Sequence, residues 1–167
     1  MAIAETVKNY LAKKSVDYEL ETHPHSGSSH ETALASHISE DHIAKGVIVK
    51  DASGYAMVIV PAVNYVEMKH LRKELDRELE LVEEEEFAKL FPDCEPGAVP
   101  PIGPAYQIET FLDECLTTLA NVYLESGDHE HLLHVSGDGF KTLMSGVRHG
   151  HYSHEKHPSK IEENYAG

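Results

Sequence analysis

Three short stretches of the chain carry residue types that could do chemistry. The first is IAKGVIVK, residues 43–50, where Lys45 stands beside a glycine at the mouth of an otherwise apolar run. An ammonium in that place can reach into a pocket and hold an anion or an ester oxygen as a point charge. Read cold, Lys45 also fits an ordinary surface lysine, and Lys50 is expected to face solvent. The second stretch is PGAVPPIG, residues 96–103. Pro100 and Pro101 lack an N–H, whereas Gly97, Ala98 and Val99 have one. A loop stiffened by proline can aim such amides at one point, which is what a developing oxyanion needs. Such loops are also common as plain connections.

The third stretch is GDHEHLLH, residues 127–134. His129, His131 and His134 suggest a metal site at first sight. If 131–136 is a strand, however, His131 and His134 point to opposite faces, because the side-chain period is two. His129, in the turn, is the better candidate for a side chain that projects into a pocket. A further set, His149, His151, His154 and His157, lies in HGHYSHEKHPSK. Histidine-rich tracts take up divalent metals opportunistically. Few apolar residues accompany this one, so a frayed end from residue 148 onward is expected. No Ser–His–Asp or Cys–His signature is present, although Cys94 lies beside the proline loop.

The elements that must position these groups follow from periodicity. Ile3, Val7, Tyr10 and Leu11 have helical spacing, so 3–14 reads as an amphipathic helix. Val16, Tyr18 and Leu20 alternate with polar residues, as a strand does. Ser28-Ser29-His30-Glu31 has capping-box spacing and opens a helix over Thr32–Ile38, with a short helical turn after Ser39. Two β-rich runs, Lys45–Lys50 and Tyr55–Pro61, flank the turn Asp51–Gly54. Asn64 is placed to cap a helix that carries Met68, Leu71 and Leu75. Glu78–Val82 reads as a short strand, and Glu83–Leu90 as a helix with a solvated acidic start. Residues 91–104 hold five prolines and two glycines, which neither helix nor central strand tolerates. Tyr106–Phe111, Asn121–Glu125 and His131–Ser136 are the remaining strands, and Gly139–Met144 the closing helix. Helices and hairpins without a βαβ rhythm imply an α+β fold.

The chain of 167 residues fits one domain large enough for its own core. The expected division is a domain at 1–147 and a histidine-rich tail at 148–167. Two cysteines make no disulfide framework and favour a reduced, cytoplasmic setting. No apolar run approaches the roughly 20 residues of a membrane span, and no signal peptide is expected at the N-terminus. The formal net charge of −15 speaks against gripping DNA or a long nucleic acid along its backbone, and against anionic membranes. A single terminal nucleotide in a pocket remains compatible, because charges beyond about 10 Å are largely screened.

Taken in order, these pieces resemble the YbaK/prolyl-tRNA synthetase-associated domain family. The likeness covers about residues 3–145. It rests on a strand ending in a His-Pro element (Tyr18 to Pro24), the helix HETALASHI, Lys45 opening IAKGVIVK, the Gly-x-x-x-Pro loop from Gly97 to Pro101, and the strand–turn–strand VYLESGDHEHLLHVS. The resemblance implies a mixed β-sheet or barrel flanked by helices, and deacylation of mischarged tRNA, often tRNA(Pro) bearing a small amino acid. It implies neither metal nor other cofactor. It assigns catalysis to Lys45 and the Gly97, Ala98 and Val99 amides, and substrate contact to His23, Thr32, Pro101, Gly127 and His129. Partners would be the 3′ acceptor end of a mischarged tRNA, with a synthetase or elongation factor beside it. The loop between His23 and Thr32 is longer than the family's, and the histidine-rich tail lies outside its pattern. A rival expectation on the same fold is a non-catalytic nucleotide- or partner-binding module.

Overall fold

The structure, a computed structural model, describes residues 3–24 and 38–155. The chain runs through α1 (Glu5–Lys14), β1 (Glu19–Thr22), a 3-10 turn (Glu40–His42), β2 (Ile43–Asp51), β3 (Gly54–Pro61) and β4 (Asn64–Val66). It continues through α2 (Met68–Leu75), β5 (Glu80–Leu81), α3 (Glu84–Phe87), the proline loop, β6 (Glu109–Asp113), β7 (Asn121–Glu125), β8 (His131–Ser136) and α4 (Gly137–Leu143). Two last strands follow, β9 (Arg148–Gly150) and β10 (Ser153–Glu155). The helix expected from Thr32 falls outside the described residues.

One mixed sheet holds eight strands in the order β1-β8-β7-β2-β3-β6-β9, with β5 added against β2. β2 runs parallel to β7 and antiparallel to β3, and β6 lies parallel to both β3 and β9. The α+β expectation holds. Central β3 shows why its sequence is continuously apolar rather than alternating. Met57 and Ile59 face a core shared with Val7 and Leu11 of α1 and Phe140 of α4. Ala56, Val58 and Val60 face a second core with Leu71 and Leu75 of α2. A strand covered on both faces needs apolar side chains at every position.

Four expectations need correction. The strand expected at Tyr106–Phe111 is displaced to Glu109–Asp113, because Tyr106 closes a 3-10 turn and Gln107 takes φ +57. Asn64 does not cap α2; that place is taken by Glu67. Asn64 instead sits buried in β4, which pairs with β10, and donates from Nδ2 to Ser153 Oγ at 2.9 Å. Lys50 is not simply solvent-facing, because its Nζ meets Glu86 at 2.8 Å and is half-buried. The frayed end expected from 148 is, as far as Glu155, folded structure. β9 extends the main sheet, and Tyr152 is fully buried edge-on to Phe111, with ring centroids 6.1 Å apart. Buried Asp113 fixes this return by accepting Tyr152 N–H at 3.0 Å and Ser153 Oγ–H at 2.7 Å. Polar composition hid the segment, since its one large apolar contact comes from a single tyrosine.

Tyr152→Ala should therefore destabilise the whole domain by about 3–5 kcal/mol, the usual cost of deleting a buried aromatic ring. Tyr152→Phe should cost little, because the Tyr152 hydroxyl is buried without a hydrogen-bond partner among the described residues. Urea unfolding checks both. An unchanged midpoint for the alanine variant would put residues 148–155 outside the cooperative unit.

Candidate functional site

A cavity of about 560 Å³ opens beside β2, and its lining includes Lys45, Gly97, Val99, Glu125 and His129. These residues come from different elements, and each is placed by a local cause. Lys45 is the third residue of β2 and half-buried. Its ammonium lies 5.9 Å from the centroid of Tyr65, a buried ring of β4, in cation–π range.

The proline loop and the β7–β8 turn hold each other. Glu95 N–H donates to Gly127 O at 2.8 Å, and His129 Nε2–H donates to Pro96 O at 2.6 Å. Gly97 has φ +81, a conformation other residues adopt only at a cost. A Cβ there would stand 3.1 Å from Glu84 Oε2 and 3.4 Å from His129 Cε1. So the glycine lets the backbone pass close to the histidine ring. The Ala98 amide is committed to Glu95 O at 3.0 Å, and its side chain is buried in the protein. Among the described residues the Gly97 and Val99 amides have no acceptor.

Asp128 builds the turn. Its Oδ1 accepts the amides of Glu130 and His131 at 2.9 and 3.0 Å, and its Oδ2 meets His131 Nδ1 at 2.6 Å. Burial works to raise the Asp128 carboxyl, but those amides and the His131 ring outweigh it and hold it below the usual range. With the turn so fixed, His129 takes φ +64 and its ring is buried against the proline loop. Gly127, at φ +117, lies where a Cβ would meet Ala4 and Cys94 at 3.2 and 3.3 Å. It serves the docking of the turn rather than the cavity wall.

Glu125, the last residue of β7, is the group that sequence reasoning missed. Its Oε1 is buried without a hydrogen-bond partner among the described residues. Burial pushes its carboxyl up to about 7, while the His129 ring and the amides of Ser126 and His129 pull it back and Asp128 adds to the rise. The sequence showed its position but not its burial. Val122 and Leu124 alternate with Tyr123 and Glu125, so a carboxylate ends that strand just ahead of the turn that presents His129. Glu83, Glu84 and Glu85 border the same cavity and are exposed, as a solvated helix start should be.

Of the residues singled out in the sequence, the cavity thus collects Lys45, Gly97, Val99 and His129. Ala98, Pro101 and Gly127 are buried outside its lining. His23 is buried too, its Nδ1–H donating to Pro24 O at 2.7 Å and its amide to Glu130 O at 2.9 Å, so it braces the turn. Thr32 lies outside the described residues. Cys94 is no nucleophile: burial pushes its thiol up to about 12, far from the thiolate form. His131 and His134 do diverge. His131 serves Asp128, and His134 stacks on Tyr123 with centroids 4.4 Å apart. Glu19, Glu21 and His134 are the one set with metal-ligating spacing among the described residues, and none of them lines the cavity.

The sequence profile of the aminoacyl-tRNA editing domain matches residues 23–143, most of the chain. The chain belongs to that family. No curated protein matches it in sequence. Its fold is shared with the hypothetical protein APE2540, at 22% identity and a TM-score of 0.78 over 90% of this chain and 100% of that one. It is shared too with a candidate trans-editing enzyme for prolyl-tRNA synthetase, at 20% identity and a TM-score of 0.73 over 89% and 95%. A candidate signal transduction protein from Marinobacter aquaeolei VT8 is similar at 17% identity and a TM-score of 0.74; 89% of this chain matches 30% of that longer one. Among the described residues no helix is long and apolar enough to cross a membrane.

The burial of Glu125 makes a prediction about pH. Its folded-state pKa of about 7 lies above the ordinary 4.5. Between those values the unfolded chain has released this proton and the folded chain has kept it, so stability falls as pH rises. Glu125→Gln lacks that loss. Its stability relative to the parent should climb from about pH 4.5 to about 7, by about 3 kcal/mol, then stay level. Urea unfolding across that range measures it, and a pH-independent difference would show that Glu125 is solvated.

Proposed function

We propose that the chain hydrolyses the aminoacyl ester of mischarged tRNA in trans, as a proofreading deacylase for tRNA(Pro) or a similar tRNA carrying a small amino acid. The observation that supports it most is the meeting of Lys45, Gly97, Val99 and His129 around one cavity in a chain of the editing family. In this reading Lys45 holds the terminal adenosine or the ester as a point charge. The Gly97 and Val99 amides take the carbonyl oxygen as it gains charge. His129 walls the amino-acid pocket, and the tRNA's own ribose hydroxyl assists the attacking water. The acidic chain then needs only the 3′ acceptor end, not the length of the tRNA, with a synthetase or elongation factor delivering it in the cytoplasm. Neither DNA nor membrane enters the scheme.

Pocket size alone sets modest selectivity, since one methylene is worth only about 1–3 kcal/mol. A panel of alanyl-, seryl-, threonyl- and cysteinyl-tRNA under single-turnover conditions is therefore the first experiment. Faster release of one small amino acid supports the reading. Tight binding without release from any of them would turn it toward a binding module.

Two substitutions test the machinery. Lys45→Ala should fold normally and lower the rate on the order of 100-fold, as loss of one such electrostatic contact does. Gly97→Ala should lower the maximal rate more than it weakens binding, because a side chain at φ +81 strains the loop that aims the amides, and an oxyanion contact strengthens in the transition state. Folded variants with parental rates would remove these residues from the reaction. EDTA should leave activity intact, and recovery that depends on added metal would overturn the metal-free scheme.

A further inference from the structure

The residues lining the cavity include one lysine, Lys45, against four glutamates: Glu83, Glu84, Glu85 and Glu125. That balance suits no purely anionic ligand. It does suit one that carries a positive group into the cavity. Three of the glutamates are exposed at the border, where solvent weakens their pull. Glu125 differs, because its Oε1 is buried and has no partner among the described residues. A carboxyl taken out of water without full hydrogen bonding is costly. A ligand that supplies a cationic donor removes that cost and makes a charge-assisted bond.

The neighbours of Glu125 say where such a donor would sit. The parallel register of β2 and β7 pairs Ile43 with Tyr123 and Ala44 with Leu124, so Lys45 and Glu125 stand one step further along adjacent strands. On the other side the His129 ring acts on the Glu125 carboxyl and also abuts Gly97. Glu125, His129 and Gly97 thus form a contiguous wall. An aminoacyl ester has its amine on the carbon next to the carbonyl, so a donor for one and an acceptor for the other must be neighbours.

We propose that Glu125 determines specificity by receiving the α-ammonium group of the aminoacyl ester, so that the cavity accepts esters with a free amine and rejects N-blocked or peptidyl esters. This rests on the deacylase reading for its substrate class. It adds a selection that neither pocket size nor Lys45 can provide. Besides Lys45 and the His129 ring, which line the same cavity, Asp128 on its own turn acts on Glu125, and as a carboxylate it supplies no cation.

The test uses two stable mimics of the tRNA terminus, 3′-alanylamino-3′-deoxyadenosine and its N-acetyl counterpart, with binding read by calorimetry at neutral pH. The parent protein should prefer the free amine by about 10- to 100-fold, the range of a hydrogen bond to a charged group. Glu125→Gln should lose that preference while binding the N-acetyl compound as the parent does, which also shows that the variant is folded. A variant that keeps the preference, or a parent that binds both compounds alike or binds neither, overturns the assignment. Release of amino acid from alanyl-tRNA, measured alongside, separates the two claims. A parent that shows the preference but releases nothing sustains the role of Glu125 and defeats the deacylase reading.

Discussion

The hydrogen bond from His129 Nε2–H to Pro96 O, 2.6 Å long, is the contact on which the site depends. It joins two irregular segments that are 33 residues apart in sequence. Neither would hold its shape alone. The proline loop is stiff within itself but has few backbone donors, and the β7–β8 turn carries a non-glycine residue at positive φ. Joined, each restrains the other, and the Glu95–Gly127 and Ala4–Ser126 backbone bonds tie both to the start of α1. The bond also fixes the histidine tautomer, since Nε2 must carry the proton when it faces a carbonyl. Lys45 comes from the rigid strand across the cavity, so a precise strand and a braced loop pair meet there.

Charge explains how a chain with a net −15 can be read as acting on a nucleic-acid ester. The acidic residues are not all alike in effect. Glu86 is spent on Lys50 and the Tyr55 hydroxyl, at 2.8 and 2.6 Å. Asp51 is spent on Arg77, whose guanidinium holds its carboxyl near 2. Among the described residues Glu125 alone combines a buried carboxylate oxygen, a raised carboxyl and a place in the cavity wall. A ligand with an anionic end and an ammonium end fits such a divided surface better than a polyanion does.

Much of this was legible in the residues. The strands Asn121–Glu125 and His131–Ser136 were expected with the bounds that they have, because the first alternates in burial and a Gly-Asp turn sets it off from the apolar run of the second. Lys45, Gly97 and His129, which line the cavity, had been singled out because an isolated lysine in an apolar strand, a proline-pinned glycine and a turn histidine are each unusual in type. Three things were not legible. Ala98 belongs to the core because its amide closes a turn onto Glu95, a choice that only three-dimensional packing makes. β9 and β10 hide in a polar run because a buried carboxylate, Asp113, organises them in place of apolar side chains. Glu125 looked like any acidic strand end, since burial of one residue depends on what closes over it.

The central claim is that the aminoacyl group is bound between Lys45, the Gly97 and Val99 amides, and His129. A crystal structure of the protein with 3′-alanylamino-3′-deoxyadenosine tests that placement directly. The account predicts the alanyl carbonyl oxygen within about 3 Å of the Gly97 or Val99 amide, the range of an N–H···O hydrogen bond, with the methyl group against His129. An analogue seated elsewhere on the sheet, or held in the cavity with its carbonyl turned away from the proline loop, would contradict it.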